Sequence, residues 1–142
     1  MVETLAALAA RTTSDVSGSK TLHRGVKSLI FMLNLTAALK DAGDKLDIYI
    51  QESPDEGTTW NDIVHFAQIS GTAPAAKTLA KINCEVAPET ELGAVADASL
   101  GASSVLQGPI APYIRSKWVV TPDADNPADH AFTFGITYLE NR

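Results

Sequence analysis

The side chains that could perform chemistry in this 142-residue chain are three histidines, one cysteine and two groups of carboxylates. Catalysis and metal binding both require such groups to converge on one place. His23, His65 and His130 lie in three separate segments, and no spacing places two of them on one face of a helix or strand. The sequence therefore predicts no histidine-based catalytic or metal site, and we interpret His65 as a hydrogen-bonded strand residue.

An oxygen-rich cluster near the carboxyl end resembles the start of a calcium-binding loop. It consists of Asp123, Asp125, Asn126 and Asp129. The glycine and the closing bidentate glutamate of such a loop are missing, and Pro127 interrupts the spacing. The composition favours a solvated turn over a calcium site.

The adjacent carboxylates, the cysteine and the two tryptophans are each interpreted as structural residues. Asp55 and Glu56 are adjacent on a predicted turn, so their carboxylates point in different directions and do not form the separated pair of a glycoside hydrolase. Cys84 is the single cysteine, which excludes an intrachain disulfide and favours a small core residue. Trp60 and Trp118 are both predicted to lie in the core. We predict no enzymatic activity, no metal and no cofactor.

Charge and hydropathy exclude two classes of partner. The formal net charge is −6, and the eleven lysines and arginines are scattered, whereas nucleic-acid binding requires clustered cations. No apolar run approaches the roughly 18 residues of a membrane span. The first ten residues include Glu3 and lack a basic start, so no secretory signal is predicted and synthesis in a cytoplasm is expected.

The most informative stretch runs from Leu46 to Ile69 and predicts a β-hairpin. Apolar and polar residues alternate before the turn, which is typical of a half-buried strand, and aromatic and β-branched residues follow it. The corner between the strands has the turn-forming pattern Ser53-x-Asp55-x-Gly57-x-Thr59-Trp60.

The rest of the chain predicts further short strands separated by turns, with no repeat and no second domain. Residues 1–24 are assigned to an N-terminal arm or edge strand with a polar loop, in which 1–11 could be strand, helix or extended arm. Residues 25–142 are assigned to one all-β domain, an antiparallel β-sandwich for which a jelly roll is one form. The further strands are predicted from the apolar positions in 28–35, 77–86, 105–110, 114–121 and 131–139.

Three further expectations concern the outer face of one strand, the residues of a second strand and a long irregular stretch. Ile30 and Met32 are expected to be covered, since the first of these strands reads as a central strand with layers on both sides. Leu79, Ile82 and Cys84 are expected to belong to one strand. The irregular stretch 87–104 is the best candidate for contact with a partner, because a loop of that length is commonly functional.

The hairpin corner resembles an Asp-box, the turn that recurs in sialidase-type β-propellers and in other β-proteins. In those families the turn is structural and lies away from the catalytic pocket. A propeller requires one copy per blade, and this chain has one copy in all. The resemblance therefore implies a structural turn made by Ser53, Asp55, Gly57, Thr59 and Trp60.

The order of segments resembles that of small structural proteins of tailed bacteriophages. The resemblance rests on 4–11, the apolar strand 28–35, the hairpin 46–60, the strand 115–120 and the phenylalanine-rich strand 132–139. It implies a virion component. A capsid decoration or cement protein on the head exterior is favoured, bound to the major capsid protein as a homo-oligomer, with a trimer at local three-fold axes as a natural arrangement. The alternatives are a neck, tail or baseplate component, or a carbohydrate-binding sandwich.

Overall fold

A computed structural model of the protein describes residues 2–38, 42–87, 95–123 and 131–142. These ranges contain strands, turns and irregular segments but no helix. The long strands are β1 (Val2–Arg11), β4 (Ser28–Ala38), β5 (Lys45–Ser53), β6 (Asn61–His65), β8 (Ala76–Asn83), β11 (Tyr113–Thr121) and β12 (Phe132–Asn141). Five two-residue strands join them: β2 (Asp15–Val16), β3 (Lys20–Thr21), β7 (Ile69–Ser70), β9 (Val95–Ala96) and β10 (Ser104–Val105).

The strands form two antiparallel sheets. The four-stranded sheet has the order β1-β12-β4-β8, so β1 and β8 are its edges. The eight-stranded sheet has the order β10-β6-β5-β11-β2, with β3 also paired to β11, β7 to β5 and β9 to β6. The predicted all-β antiparallel sandwich is confirmed, with the N-terminal segment as an edge strand.

The pairing is nested along the chain. β1 pairs with β12, β2 and β3 pair with β11, β4 pairs with β8, and β5 pairs with β6. Successive pairs in this series alternate between the two sheets. Such a chain is one long hairpin rolled into two layers, which is the jelly roll form of a sandwich.

The core lies between the sheets and is filled by every second residue of the long strands, as the period of two requires. On β4 and β12 the fully buried side chains include Leu29, Phe31, Phe134 and Ile136. Trp118 of β11 and Phe134 of β12 meet edge to face across the two layers, with ring centroids 5.7 Å apart. The guanidinium of Arg11 lies 4.5 Å from the first ring centroid and 4.4 Å from the second.

The edge strand β1 bulges where it crosses Gly135. Its register with β12 shifts between Thr4 and Ala6 and again between Ala6 and Ala9. A Cβ atom at Gly135 would lie 3.0 Å from the backbone nitrogen of Leu8, which is closer than ordinary contacts allow. Glycine is therefore required here for the backbone of β1 to lie against β12.

Three expectations from the sequence are wrong in detail. Ile30 and Met32 are only half-buried, because no layer of the described chain covers the outer face of the four-stranded sheet. Leu79 is on β8 but is 57% exposed, while Ile82 is buried, and β8 ends before Cys84. The strand predicted over 105–110 is limited to Ser104–Val105, because the backbone then leaves β6 and the N–H of Gly108 donates to the last carbonyl of β8, on the other sheet (3.0 Å).

Candidate functional site

The turn between β5 and β6 is closed by its own side chains. The Ser53 hydroxyl donates to Asp55 Oδ1 (2.8 Å) and accepts from the backbone N–H of Gly57 (2.8 Å). Asp55 Oδ1 also accepts from the backbone N–H of Thr59 (2.7 Å), and the indole N–H of Trp60 donates to the Gly57 carbonyl (2.9 Å). The five residues singled out from the sequence therefore form one hydrogen-bonded turn. Its assignment to the Asp-box type stays a prediction.

The backbone explains why this sequence turns here. Glu56 and Gly57 both have positive φ angles, of 56° and 91°. Glycine takes such angles without steric cost, and at Glu56 the neighbouring hydrogen bonds hold the residue in place. Oδ1 of the exposed Asp55 carboxylate accepts two of the hydrogen bonds that close the turn, so the residue has a structural use here.

The hydrogen bonds from Thr59 lower the pKa of Asp55 below its ordinary value, and this predicts a stability that depends on acid pH. A carboxyl group with a lowered folded pKa contributes stability above its unfolded pKa, near 4, and loses it as the pH falls through the folded value. We expect the Asp55→Asn variant to be less stable than the wild type at pH 7, with the difference shrinking below pH 4. Urea denaturation across this pH range measures the difference.

The adjacent variant Glu56→Gln is the matched control for that experiment, because it removes the same charge from a side chain that the turn's hydrogen bonds do not use. A difference between wild type and Asp55→Asn that stays constant from pH 7 to pH 2 would contradict the prediction.

Trp60 is half-buried at the outer surface rather than in the core, which corrects the sequence interpretation. The Arg115 guanidinium lies 4.3 Å from the centroid of its ring, and the Gly57 backbone lies against it. Arg115 also donates from Nε to Gln51 Oε1 (2.9 Å). Partial burial lowers the pKa of Arg115, opposed by the nearby Asp97 carboxylate. Trp118 is buried, as predicted.

A buried carboxylate on β6 holds the segment that follows β9. Asp62 is 1% exposed. Its two oxygens accept from the backbone N–H groups of Ala98 (3.0 Å), Ser99 (2.8 Å) and Leu100 (3.0 Å), and also from the Gln51 side-chain amide (2.8 Å). A buried charge is tolerated when it is this fully hydrogen-bonded. Asp62 therefore anchors 98–100 against the outer face of the eight-stranded sheet.

Side chains next to Asp62 make further contacts with the segment that follows β9. His65 is buried, stacks on Tyr49 with ring centroids 4.0 Å apart, and has the Leu100 carbonyl 2.7 Å from Nδ1. Its Nε2 lies 2.9 Å from Asp47 Oδ1. The two ring nitrogens thus link the Leu100 carbonyl to the Asp47 carboxylate. Lys117 Nζ lies 2.9 Å from both carboxylate oxygens of Asp97, and Gln51 donates to the same group.

The hydrogen bonds to Asp62 involve part of the stretch 87–104, which the sequence predicts to contact a partner. Residues 88–94 of that loop lie outside the described residues. The remainder, from 95 to 104, is bonded to the body of the protein through β6, β5 and β11. Several of its polar groups are therefore engaged within the chain, which no local pattern predicts, because Asp62 and Ser99 are 37 residues apart.

The other sequence candidates that lie in the described ranges do not converge. His23 is exposed and pairs with Glu140 at 2.8 Å. His130, Asp125, Asn126 and Asp129 lie outside the described residues. In the part of the chain that the structure describes, no cluster of three or more histidine, cysteine or acidic side chains has the arrangement to hold a metal. Within the same ranges there is no helix long and apolar enough to cross a membrane.

Cys84 is half-buried beside the core, just after β8. Burial raises the pKa of its thiol, and the charges of Glu52 and Glu85 raise it further. A thiol held in its neutral form is a weak nucleophile. The environment of Cys84 thus suits packing.

A surface that the sequence analysis missed is the outer face of the four-stranded sheet. We define the apolar face as the outward side chains Val2, Leu139, Ile30, Met32 and Leu79. The ladder registers place Leu139 opposite both Val2 and Ile30, and Met32 opposite Leu79. Val2 is 62% exposed, and Leu8 on the β1 bulge is 57% exposed beside this face. The signal in the sequence was the apolar residues on both sides of β4.

Comparison with known proteins gives a likeness of fold. No model of a known protein family matches the sequence, and no curated protein matches it significantly. Among solved structures, a chain in the structure of infectious bursal disease virus, Gx strain, superposes with a TM-score of 0.50 at 14% identity. The match covers 97% of this chain and 30% of that one, so this chain spans less than a third of the length of its structural neighbour. At this identity the likeness shows a shared fold.

Proposed function

We propose that the protein is a non-enzymatic structural component of a virus particle, and more specifically a decoration or cement protein on the exterior of a tailed-phage head. The observation that supports this most directly is the jelly roll, shared over nearly the whole chain with a chain of a virus structure. The order of strands along the sequence supports the tailed-phage assignment. The described polar side chains mainly bond to the chain itself, as in the turn at Asp55 and the anchor at Asp62.

The net charge favours the outside of the shell over the inside. A chain of charge −6 is repelled by packaged DNA, whereas an exterior position has no such penalty. A cement protein stabilises a shell because it binds the assembled state and so shifts the equilibrium by mass action. The major capsid protein is the partner we propose, with a trimer of this chain at local three-fold axes as the arrangement to be tested.

The carbohydrate-binding alternative is disfavoured by the position of Trp60. Sugar binding by stacking needs an open aromatic face. Arg115 lies over the Trp60 ring and Gly57 packs against it, while Trp118 is buried. Neither tryptophan therefore offers a free platform.

The copy number of the chain in purified particles tests the proposal. Quantitative mass spectrometry against the major shell subunit should give a ratio near one to one if the chain forms a decoration lattice. A few copies per hundred shell subunits would place it in the neck, tail or baseplate instead. Absence from particles would contradict the virion role altogether. Crosslinking of intact particles tests the oligomer, and only monomers would exclude the trimer.

A further inference from the structure

We infer that the apolar face of the four-stranded sheet is the surface through which the protein docks onto the shell subunit, and that the partner surface is apolar at its centre and acidic opposite β8. This inference rests on the proposed function and specifies which face of the chain makes the contact. It differs from the expectation that the stretch 87–104 makes the main contact, and the backbone N–H groups of 98–100 in that stretch are already bonded to Asp62.

The apolar face is continuous across all four strands. Residues directly opposite each other on antiparallel strands have their Cβ atoms about 5 Å apart, so paired side chains touch. Val2, Leu139 and Ile30 form one such row. Met32 and Leu79 begin the next row, which continues through Thr137 to Thr4. Contiguous apolar surface of this kind on a sheet marks an interaction site, since single scattered apolar residues would need no explanation.

The outer face of the eight-stranded sheet provides a contrast within the same molecule. That face carries Asp62, Gln51, Lys117 and Tyr49, and the segment following β9 bonds to it. Residues of the chain itself therefore cover that face and bond to it through polar contacts. The four-stranded sheet has no comparable cover from the described residues, although Ile30 and Met32 face outward from β4.

The charges on this sheet indicate the chemistry of the partner. The charged outward residues of its four strands are Lys77 and Lys81, both on β8, where the register places Lys81 opposite Ile30. The two carboxylates of these strands face inward or lie at the strand end: Glu3 accepts from the Tyr138 hydroxyl, and Glu140 pairs with His23. Among the described residues, the outward positions of these four strands therefore carry lysines and no carboxylate, and Glu85, two residues beyond β8, lines a cleft with Ile30 and Lys81 at one end of the face.

A second copy of the chain would bind the apolar face less favourably than a shell subunit would. Two copies packed by this same face would bring both pairs of lysines to one interface, where the described strands supply no outward carboxylate, and like charges at an interface are unfavourable. An acidic partner surface complements the lysines and would accelerate association at low salt. Charge complementarity thus favours a different protein, and the proposed function identifies it as the shell subunit.

The test measures binding of purified chain to particles that lack it, by co-sedimentation. We expect Leu79→Glu to weaken binding at least about tenfold, since an apolar contact on β8 becomes a negative charge facing an acidic surface. The double variant Lys77→Glu/Lys81→Glu should also weaken binding by about tenfold, with the effect decreasing at high salt. The control Lys20→Glu/Lys45→Glu changes the net charge equally at exposed positions of the other sheet and should bind as the wild type does.

The outcomes separate the inference from the proposed function. If the wild type binds and the face variants bind equally well while remaining folded by thermal melting, the docking face is wrong and the virion role stands. If the wild type does not bind, the proposed function fails first. If analytical ultracentrifugation shows a wild-type dimer that Leu79→Glu dissociates, a second copy covers the face and the shell subunit is excluded as its occupant.

Discussion

Replacing Asp62 with alanine is expected to lower the free energy of unfolding by about 3 to 5 kcal/mol. The substitution removes the shared acceptor of the backbone N–H groups of 98–100 and of the Gln51 amide at a part-buried place. The Ser99 N–H keeps the Ala96 carbonyl and the Gln51 amide keeps Asp97. Unpaired buried donors cost more than the net gain of the bonds they lose, which is why one carboxylate has so large an effect. Urea denaturation at neutral pH measures the change.

Two variants make this prediction specific. Asp62→Asn keeps the shape and one acceptor oxygen, so it should lose less stability than the alanine variant. Asp97→Ala removes a carboxylate of the same network whose side chain is 46% exposed, and it should cost about 1 kcal/mol or less. Hydrogen exchange should accelerate at residues 98–100 in Asp62→Ala. An alanine variant within 1 kcal/mol of the wild type, with exchange unchanged, would show that Asp62 is not the anchor.

Replacing Phe134 with alanine is expected to cost about 3 to 5 kcal/mol through a cavity between the two sheets. Phe134 is 0% exposed and contributes to the core from β12. Its ring meets Trp118 of β11 at an interplanar angle of 79°, so the cavity would open where the two layers join. The Arg11 guanidinium also loses one of its two aromatic contacts.

Thermal and urea unfolding, followed by near-ultraviolet circular dichroism of the tryptophans, report this change. Phe134→Leu fills most of the space and should lose less stability. Thr133→Ala, one residue earlier and facing outward, should stay within about 0.5 kcal/mol of the wild type. Equal effects of Thr133→Ala and Phe134→Ala would contradict the assignment of Phe134 to the inter-sheet core.

The part of the candidate site that could be predicted from the sequence is the part whose residues lie close together in the chain. The turn residues Ser53, Asp55 and Thr59 bond to each other within six positions, so their spacing contains the information. The anchor at Asp62 could not be predicted, because the N–H groups that it accepts come from a segment brought back over the sheet by β9. Trp60 was misassigned for the same reason: Arg115, which lies over its ring, comes from β11.

Local patterns in the sequence were enough to predict the class of fold and the inward face of the strands. Period-two alternation is a property of neighbouring residues, and it correctly marked Leu29 and Phe31 on β4, and Phe132 and Phe134 on β12, as core. The tertiary structure alone decided the nested pairing and the outer faces. Val2 and Leu139 lie at opposite ends of the chain and become neighbours only through the β1–β12 ladder, so the apolar face exists only once the long-range registers are set. Whether an outward apolar residue is covered depends on a second layer, and such layers are built by contacts between segments distant in the chain.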